Sequence, residues 1–328
     1  MSRRILVLGG THFIGRRIVE QLHRRGDQVV VVHRGHTEPD GLPPVQHLHV
    51  PRAELASVRA EIRAFDPTAV VDTMALSAAG VDAVLPVLPD VPLVVLSSAD
   101  VYQAYDIFRF GADRDAEIGV PITEASPVRT ERYPYRGPDN LDSDYEKLDV
   151  EPRYLDRGAA VLRLGFVYGE RDPQRREEFV LRRVRAGRAR IPFGSGGLLL
   201  SRLYVDDAAS ATLAALDTPA AAGEVFNIVE AASVSIQGWA QQILHAAGSA
   251  AQLVRVPGAL LPGDLGLTDV TTQHLLISSA KAQRRLGWTP SDPSTTVPRS
   301  VGWHLAHPPT GEEPGFDADD AALAAAGA

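Results

Sequence analysis

The sequence has no cysteine among its 328 residues. Disulfides and thiolate metal sites are thereby excluded, and a reducing compartment suits the chain. Lysine is nearly as scarce: Lys147 and Lys281 occur, whereas arginine is abundant. Where arginine serves as the generic cation, a retained lysine points to a need for a compact ammonium. That directs attention to Lys147. No apolar run is long enough to cross a bilayer, so no membrane role is expected. The first residues pass straight into an apolar strand, so no signal peptide and a cytoplasmic location are expected. Excess positive charge is missing too. The net charge of −8, from 41 acidic and 33 basic residues, argues against a nucleic-acid partner. Arg182, Arg183, Arg185, Arg188 and Arg190 do cluster, and at helical spacing they read as a solvated face. No internal repeat is found.

What is present begins with Arg4-Ile5-Leu6-Val7-Leu8-Gly9-Gly10-Thr11-His12-Phe13-Ile14-Gly15. It reads as a buried strand, a glycine turn and a helix over 13–25, with Gly26 as its stop and a second strand over 28–33. Such a turn aims backbone N–H groups and a helix N-terminus at an anion, in α/β sheets usually a dinucleotide pyrophosphate. Gly9 and Gly15 hold the first and third glycine places of the dinucleotide fingerprint, and His12 holds the middle one. His12 either contacts a phosphate or turns to solvent.

Further along, 45–50 alternates like a short strand, 53–65 reads as helix and 69–72 as a buried strand. A helix over 81–88 leads to a strand over 93–98. Strands separated by helices specify a parallel, doubly wound α/β sheet, whose ligands lie outside the carboxyl ends of the strands. The glycine turn, His33-Arg34, Asp72 and Ser97-Ser98 all fall at those ends. A long connection, 103–141, follows, then a helix over 144–156 and strands over 160–164 and 224–229. Residues 203–207 open another helix, and one more is expected over 236–247. The acidic stretch from 310 is expected to fray. His23, His33, His36, His47 and His49 are frequent early on, and His47 and His49 share a strand face. With no evident third ligand they read as surface histidines, and no metal site is expected.

Together these segments resemble the extended short-chain dehydrogenase/reductase family, also called the NAD-dependent epimerase/dehydratase family, in its atypical branch. The likeness rests on Gly9 to Gly15, on Leu96-Ser97-Ser98-Ala99-Asp100-Val101-Tyr102 and on Leu162-Arg163-Leu164-Gly165-Phe166-Val167-Tyr168-Gly169. Tyr204-Val205-Asp206-Asp207, Phe226-Asn227-Ile228 and Arg285-Leu286-Gly287-Trp288-Thr289-Pro290 extend it to about residue 308. The resemblance implies a Rossmann-type dinucleotide-binding domain over 1–168, with 203–230 returning to it. A smaller substrate-binding lobe over 169–309 and a flexible tail over 310–328 complete the expected organisation.

The resemblance also implies a Ser/Thr, Tyr, Lys trio. The hydroxyls bind the reacting oxygen, the tyrosine passes a proton, and the lysine holds the nicotinamide ribose and lowers the tyrosine pKa. Ser98 and Lys147 match the serine and the lysine. The tyrosine place, four residues before the lysine, is Ser143. Tyr145 stands two residues before Lys147, on the opposite face of a regular helix. Three readings stand open: Tyr145 acts from a frayed helix start; Tyr102, Tyr133, Tyr135 or a water-linked Ser143 supplies the proton; or the site only binds cofactor. Asp100 occupies one of the two places that hold an acidic pair in the family's dehydratases, which disfavours dehydration. It reads first as a cap or turn residue and second as a lone general acid or base.

The cofactor contacts implied are Gly9, Thr11, His12, Phe13, Ile14, Gly15, Arg34, Asp72 and Lys147. His33 and Arg34 stand where NAD-preferring members place an acid, which favours NADP, with NAD as the alternative. Leu200 stands where nucleotide-sugar enzymes of the family carry an arginine, and Arg202 is displaced by two. The glycine turn at 194–197 reads as a plain loop. The expected activity is hydride transfer to or from a carbonyl or carbinol carbon of a small molecule. Epimerisation is the near alternative. A non-catalytic NADP-binding sensor or RNA-binding module, as in relatives of the atypical branch, is the rival. A homodimer is implied by analogy.

Overall fold

The structure, a computed structural model, describes residues 2–36, 40–110, 117–136, 144–270, 272–311 and 313–327. The strands are β1 (Arg4–Leu8), β2 (Gln28–His33), β3 (Gln46–His49), β4 (Ala69–Asp72), β5 (Leu93–Ser98), β6 (Ala160–Leu164), β7 (Phe166–Tyr168), β8 (Arg190–Phe193), β9 (Arg202–Tyr204), β10 (Val225–Ile228) and β11 (Gln252–Arg255). The α-helices are α1 (Phe13–Arg24), α2 (Arg59–Phe65), α3 (Ala78–Val84), α4 (Gln103–Phe110), α5 (Lys147–Leu155), α6 (Glu178–Arg185), α7 (Val205–Asp217), α8 (Ile236–Ala246), α9 (Ala280–Leu286), α10 (Pro293–Ala306) and α11 (Asp317–Ala325).

Seven strands form one parallel sheet in the order β10-β6-β5-β4-β1-β2-β3. The order reverses beside β1, which makes the switch-point crevice of a Rossmann-like fold. Alternation along β1 decides its two faces. Ile5 and Val7 enter the core shared with α1, α7 and the later helices. Leu6 and Leu8 enter the core beneath α2, α3 and α5. Two small parallel pairs, β7-β9 and β8-β11, lie beyond the main sheet. Their residues Phe193, Leu203 and Tyr204 belong to the same apolar cluster as Ile5 and Val7, so the later segment is continuous with the sheet.

Several expectations are corrected. Residues 53–65 do not form one helix. A 3₁₀ segment, Arg52–Val58, precedes α2, with a non-helical Glu54. The helix read at 81–88 lies earlier, as α3, because Ser77 caps it by accepting from the Gly80 N–H. The long connection contains α4. The helix read from 144 starts at Lys147, where the Glu146 carboxylate accepts from the Leu148 N–H.

The tail does not fray: it forms α11. Four of the five arginines read as a solvated face hold it there, whereas Arg190 is exposed in β8. Arg183, fully buried, binds Asp319 and Asp264. Arg182 donates to the Pro314 and Gly315 carbonyls, and Arg185 and Arg188 pair with Glu313 and Asp320. Arginines at helical spacing could not show from sequence alone that their acidic partners lay 130 residues downstream.

Candidate active site

The glycine turn is shaped by close approach. Gly9 and Gly10 have φ of +93° and +108°, where L side chains are strained. A Cβ on Gly9 would stand 2.1 Å from Thr73 Oγ1, and one on Gly15 would stand 2.7 Å from the Gly10 nitrogen. Phe13 carries φ +36°, a left-handed strain of roughly 1–2 kcal/mol for a non-glycine residue. Such strain clusters at ligand-binding turns. His12 sits at the N-cap of α1, exposed, and its side chain makes no capping bond. No acidic residue occupies that first turn. A tight backbone cradle below a helix N-terminus that no side chain caps fits a dinucleotide phosphate. Thr11 and Phe13 are buried in the turn, Ile14 is half-buried, and Arg34 is exposed just past β2.

Asp72 is corrected. It is fully buried, both oxygens bind Arg52 at 2.9 and 2.6 Å, and Tyr154 donates to it. It also accepts from the Met74 N–H at 2.9 Å. Its carboxylate is consumed in holding the loop after β4 and has no free face for a ribose. That loop then serves the site indirectly, since the Ala75 carbonyl accepts from Lys147 Nζ at 2.7 Å.

At the end of β5 the structure brings Ser98, Tyr145 and Lys147 together. Tyr145 precedes α5 and so escapes the helical phase that would have turned it away. The segment is pinned by Glu146, fully buried, which accepts from Arg129 at 2.6 and 2.9 Å and from the Tyr133 N–H at 2.6 Å. Arg129 in turn donates to the Asp100 carbonyl at 2.9 Å. The Tyr145 hydroxyl donates to Asp100 Oδ2 at 2.8 Å, and the Asp100 N–H in turn donates to Ser98 Oγ. Tyr135 donates to the same oxygen at 3.2 Å. Lys147 is buried, donates to the Ala75 and Leu96 carbonyls, and lies 5.6 Å from the Tyr145 ring centre.

The electrostatics differ from what the resemblance implied. Burial, then the Asp100 charge, pushes the Tyr145 phenol well above its ordinary range. Burial lowers Lys147 to about 8, against the pull of Asp100, Asp72 and Glu151. Burial raises Asp100, which is 4% exposed, and the hydrogen bond from Tyr145 and the charges of Arg129 and Lys147 only partly oppose it. Its Oδ1 is buried without a hydrogen-bond partner. Asp100 is therefore no mere cap, although its N–H does donate to Ser98 Oγ at 3.2 Å.

The other tyrosines considered divide. Tyr135 joins the cluster. Tyr102 donates to Asn227 and Tyr133 to Asp149, both away from Asp100. Ser143 lies outside the described residues. Sequence reasoning undervalued Asp100, Tyr135 and Arg129. The usable signal was an acid two residues after the serine, at a strand end. On the substrate side Leu200 is buried, and Arg202 is buried against Glu230 at 3.0 Å. In the 194–197 turn the Gly194, Ser195 and Gly196 N–H groups donate to Thr268 Oγ1, Asp269 Oδ1 and the Thr268 carbonyl.

The model of the NAD dependent epimerase/dehydratase family matches residues 5–87 and 147–229. A chloroplast stem-loop binding protein of 41 kDa from Arabidopsis thaliana is 27% identical over 308 residues, covering 88% of this chain and 75% of that protein. A 3-diazoavenalumate denitrifying reductase from a Streptomyces species is 30% identical over 141 residues, 42% of this chain and 45% of that enzyme. A solved UDP-glucose-4-epimerase from Stenotrophomonas maltophila, with bound NAD and formylated UDP-arabinopyranose, superposes with a TM-score of 0.71 at 16% identity. It is covered to 98% and covers 93% of this chain, and the likeness is one of fold. No helix among the described residues is long and apolar enough to cross a membrane.

Proposed function

The chain belongs to the NAD dependent epimerase/dehydratase family, and from that premise we propose that it is an NADP-dependent oxidoreductase acting on a carbonyl or carbinol carbon of a small molecule. The observation that carries this is the 2.8 Å hydrogen bond from Tyr145 to a buried Asp100, beside Ser98 at the end of β5. The glycine turn, Thr11, Ile14 and the first N–H groups of α1 would hold the phosphates. The third N–H of Lys147, its other two being held by carbonyls, would reach the nicotinamide ribose. Arg34 would meet a 2′-phosphate, which its guanidinium suits better than a bare ribose. The bound nicotinamide supplies or accepts the hydride.

The chain's own residues handle the proton. Ser98 orients the substrate oxygen. In the reductive direction Tyr145 donates its proton to that oxygen as negative charge develops, and an Asp100 that starts protonated passes its own proton to Tyr145 across the same 2.8 Å contact, ending as the carboxylate. In the reverse direction Tyr145 takes the carbinol proton and Asp100 receives it. A carboxylate raised by burial can serve as acid and base near neutral pH. The burial of Leu200, and of Arg202 against Glu230, favours a small substrate over a nucleotide sugar. Acidity overall disfavours RNA. A protein of this kind works without a membrane, and a homodimer and a cytoplasmic setting are compatible with it.

Titration of the full chain with NADPH and NADH tests the proposal. Saturable binding is expected, tighter for NADPH, and Arg34→Asp should remove that preference. Equal affinities, or tighter NADH, would defeat the NADP assignment. A reductase consumes NADPH in proportion to product, whereas an epimerase turns over with bound cofactor alone.

A further inference from the structure

Away from the glycine turn, β2 and β3 bring three imidazoles together. His33 and His49 are paired in register on the neighbouring parallel strands, and His47 precedes His49 by two, on the same strand face. The ring centres of His33 lie 5.0 Å from those of His47 and 4.7 Å from those of His49. His33 Nε2 is 2.8 Å from His47 Nδ1. One nitrogen from each residue falls within 4.8 Å of the other two. Gly35, with φ +80°, folds the chain over this group, and a Cβ there would touch the His49 ring at 3.4 Å. His33 and His47 are half-buried and His49 is exposed, so the cluster is both held and open to solvent.

We propose that His33, His47 and His49 form a binding site for a borderline divalent transition metal of the Zn²⁺ class. Nitrogens sharing a tetrahedral zinc, at about 2.0–2.1 Å each, stand roughly 3.4 Å apart. Ring rotations of about an ångström would therefore suffice to bring all three onto one ion. Neutral imidazoles suit Zn²⁺, Cu²⁺ or Ni²⁺, whereas Mg²⁺ and Ca²⁺ seek oxygen. The three histidines stand on neighbouring strands, and the proposal holds whether or not a dinucleotide binds beside them.

The test uses the tag-free full chain, titrated calorimetrically with Zn²⁺ and followed spectroscopically with Co²⁺. One site per chain is expected, with a cobalt spectrum showing nitrogen ligands and no competition from Mg²⁺. His49→Ala, on the exposed side of an edge strand, and His47→Gln should each weaken Zn²⁺ by about tenfold or more, with unchanged circular dichroism. His23→Ala should have no effect. No saturable Zn²⁺ binding by the parent chain, or undiminished binding by the His47→Gln/His49→Ala double variant, would overturn the proposal.

Discussion

Two of the buried polar clusters among the described residues are finished differently. In the strap formed by α6 and α11, Arg183 meets two carboxylates, Asp264 and Asp319, and the Phe179 carbonyl; all its nitrogens are engaged. In the corner at the end of β5, Asp100 receives two phenols on one oxygen and leaves the other unpartnered. A buried ionic group that is completely satisfied holds structure in place. One that is left short, under a raised pKa, is free to exchange a proton with a ligand. The incomplete cluster lies at the strand ends and the complete one lies away from them.

The comparison breaks most visibly in the corner. Tyr145→Phe should reduce turnover about 10²- to 10⁴-fold while the melting temperature barely moves. Asp100→Asn should lose as much activity and yet melt higher at neutral pH. Its folded pKa is raised, so any stability it lends is complete below the unfolded carboxylate pKa and is lost as pH rises through the folded value. Asparagine removes that loss. Activity assays beside calorimetry check both; a melting temperature lowered by Asp100→Asn would place the residue with the structural cluster instead.

The strap should behave the opposite way. Arg183→Ala leaves the buried Asp319 without its cation, while Asp264 keeps Arg182, and should cost about 3–5 kcal/mol in urea unfolding, with kcat per folded molecule unchanged. A loss of kcat without a loss of stability would erase the distinction between the clusters. The smallest effect sharpens it. Tyr135→Phe removes one hydrogen bond to Asp100, worth about 1 kcal/mol, and should slow turnover about five- to tenfold. Because that bond lowers the Asp100 pKa, its loss should move the acidic limb of the pH–rate profile upward.

Much of the fold was legible because strand periodicity is local. β2, β4 and β5 begin and end where alternation, Gly26, Pro67 and Pro92 say they should. For the candidate site, the placement of Ser98 at the end of β5 and of Lys147 in the helix before β6 was legible. Tyr145 was ambiguous because its position hung on one helix start, and that start is set by Glu146 binding Arg129, 17 residues away. The burial of Asp72 was invisible for the same kind of reason: Arg52 and Tyr154 reach it from distant segments. The histidine trio escaped notice because cross-strand register, not spacing, supplies His33.

The apolar cluster that holds Ile5 also holds Leu203 and Ile243, without a break between the nucleotide-side sheet and the later helices. Among the described residues, this shared cluster leaves no seam along which the two could pivot as rigid bodies. Ligand exchange would then be paced by local breathing of the rim, and the later segment could not be transplanted as a cassette onto a foreign sheet without carrying half of that cluster with it.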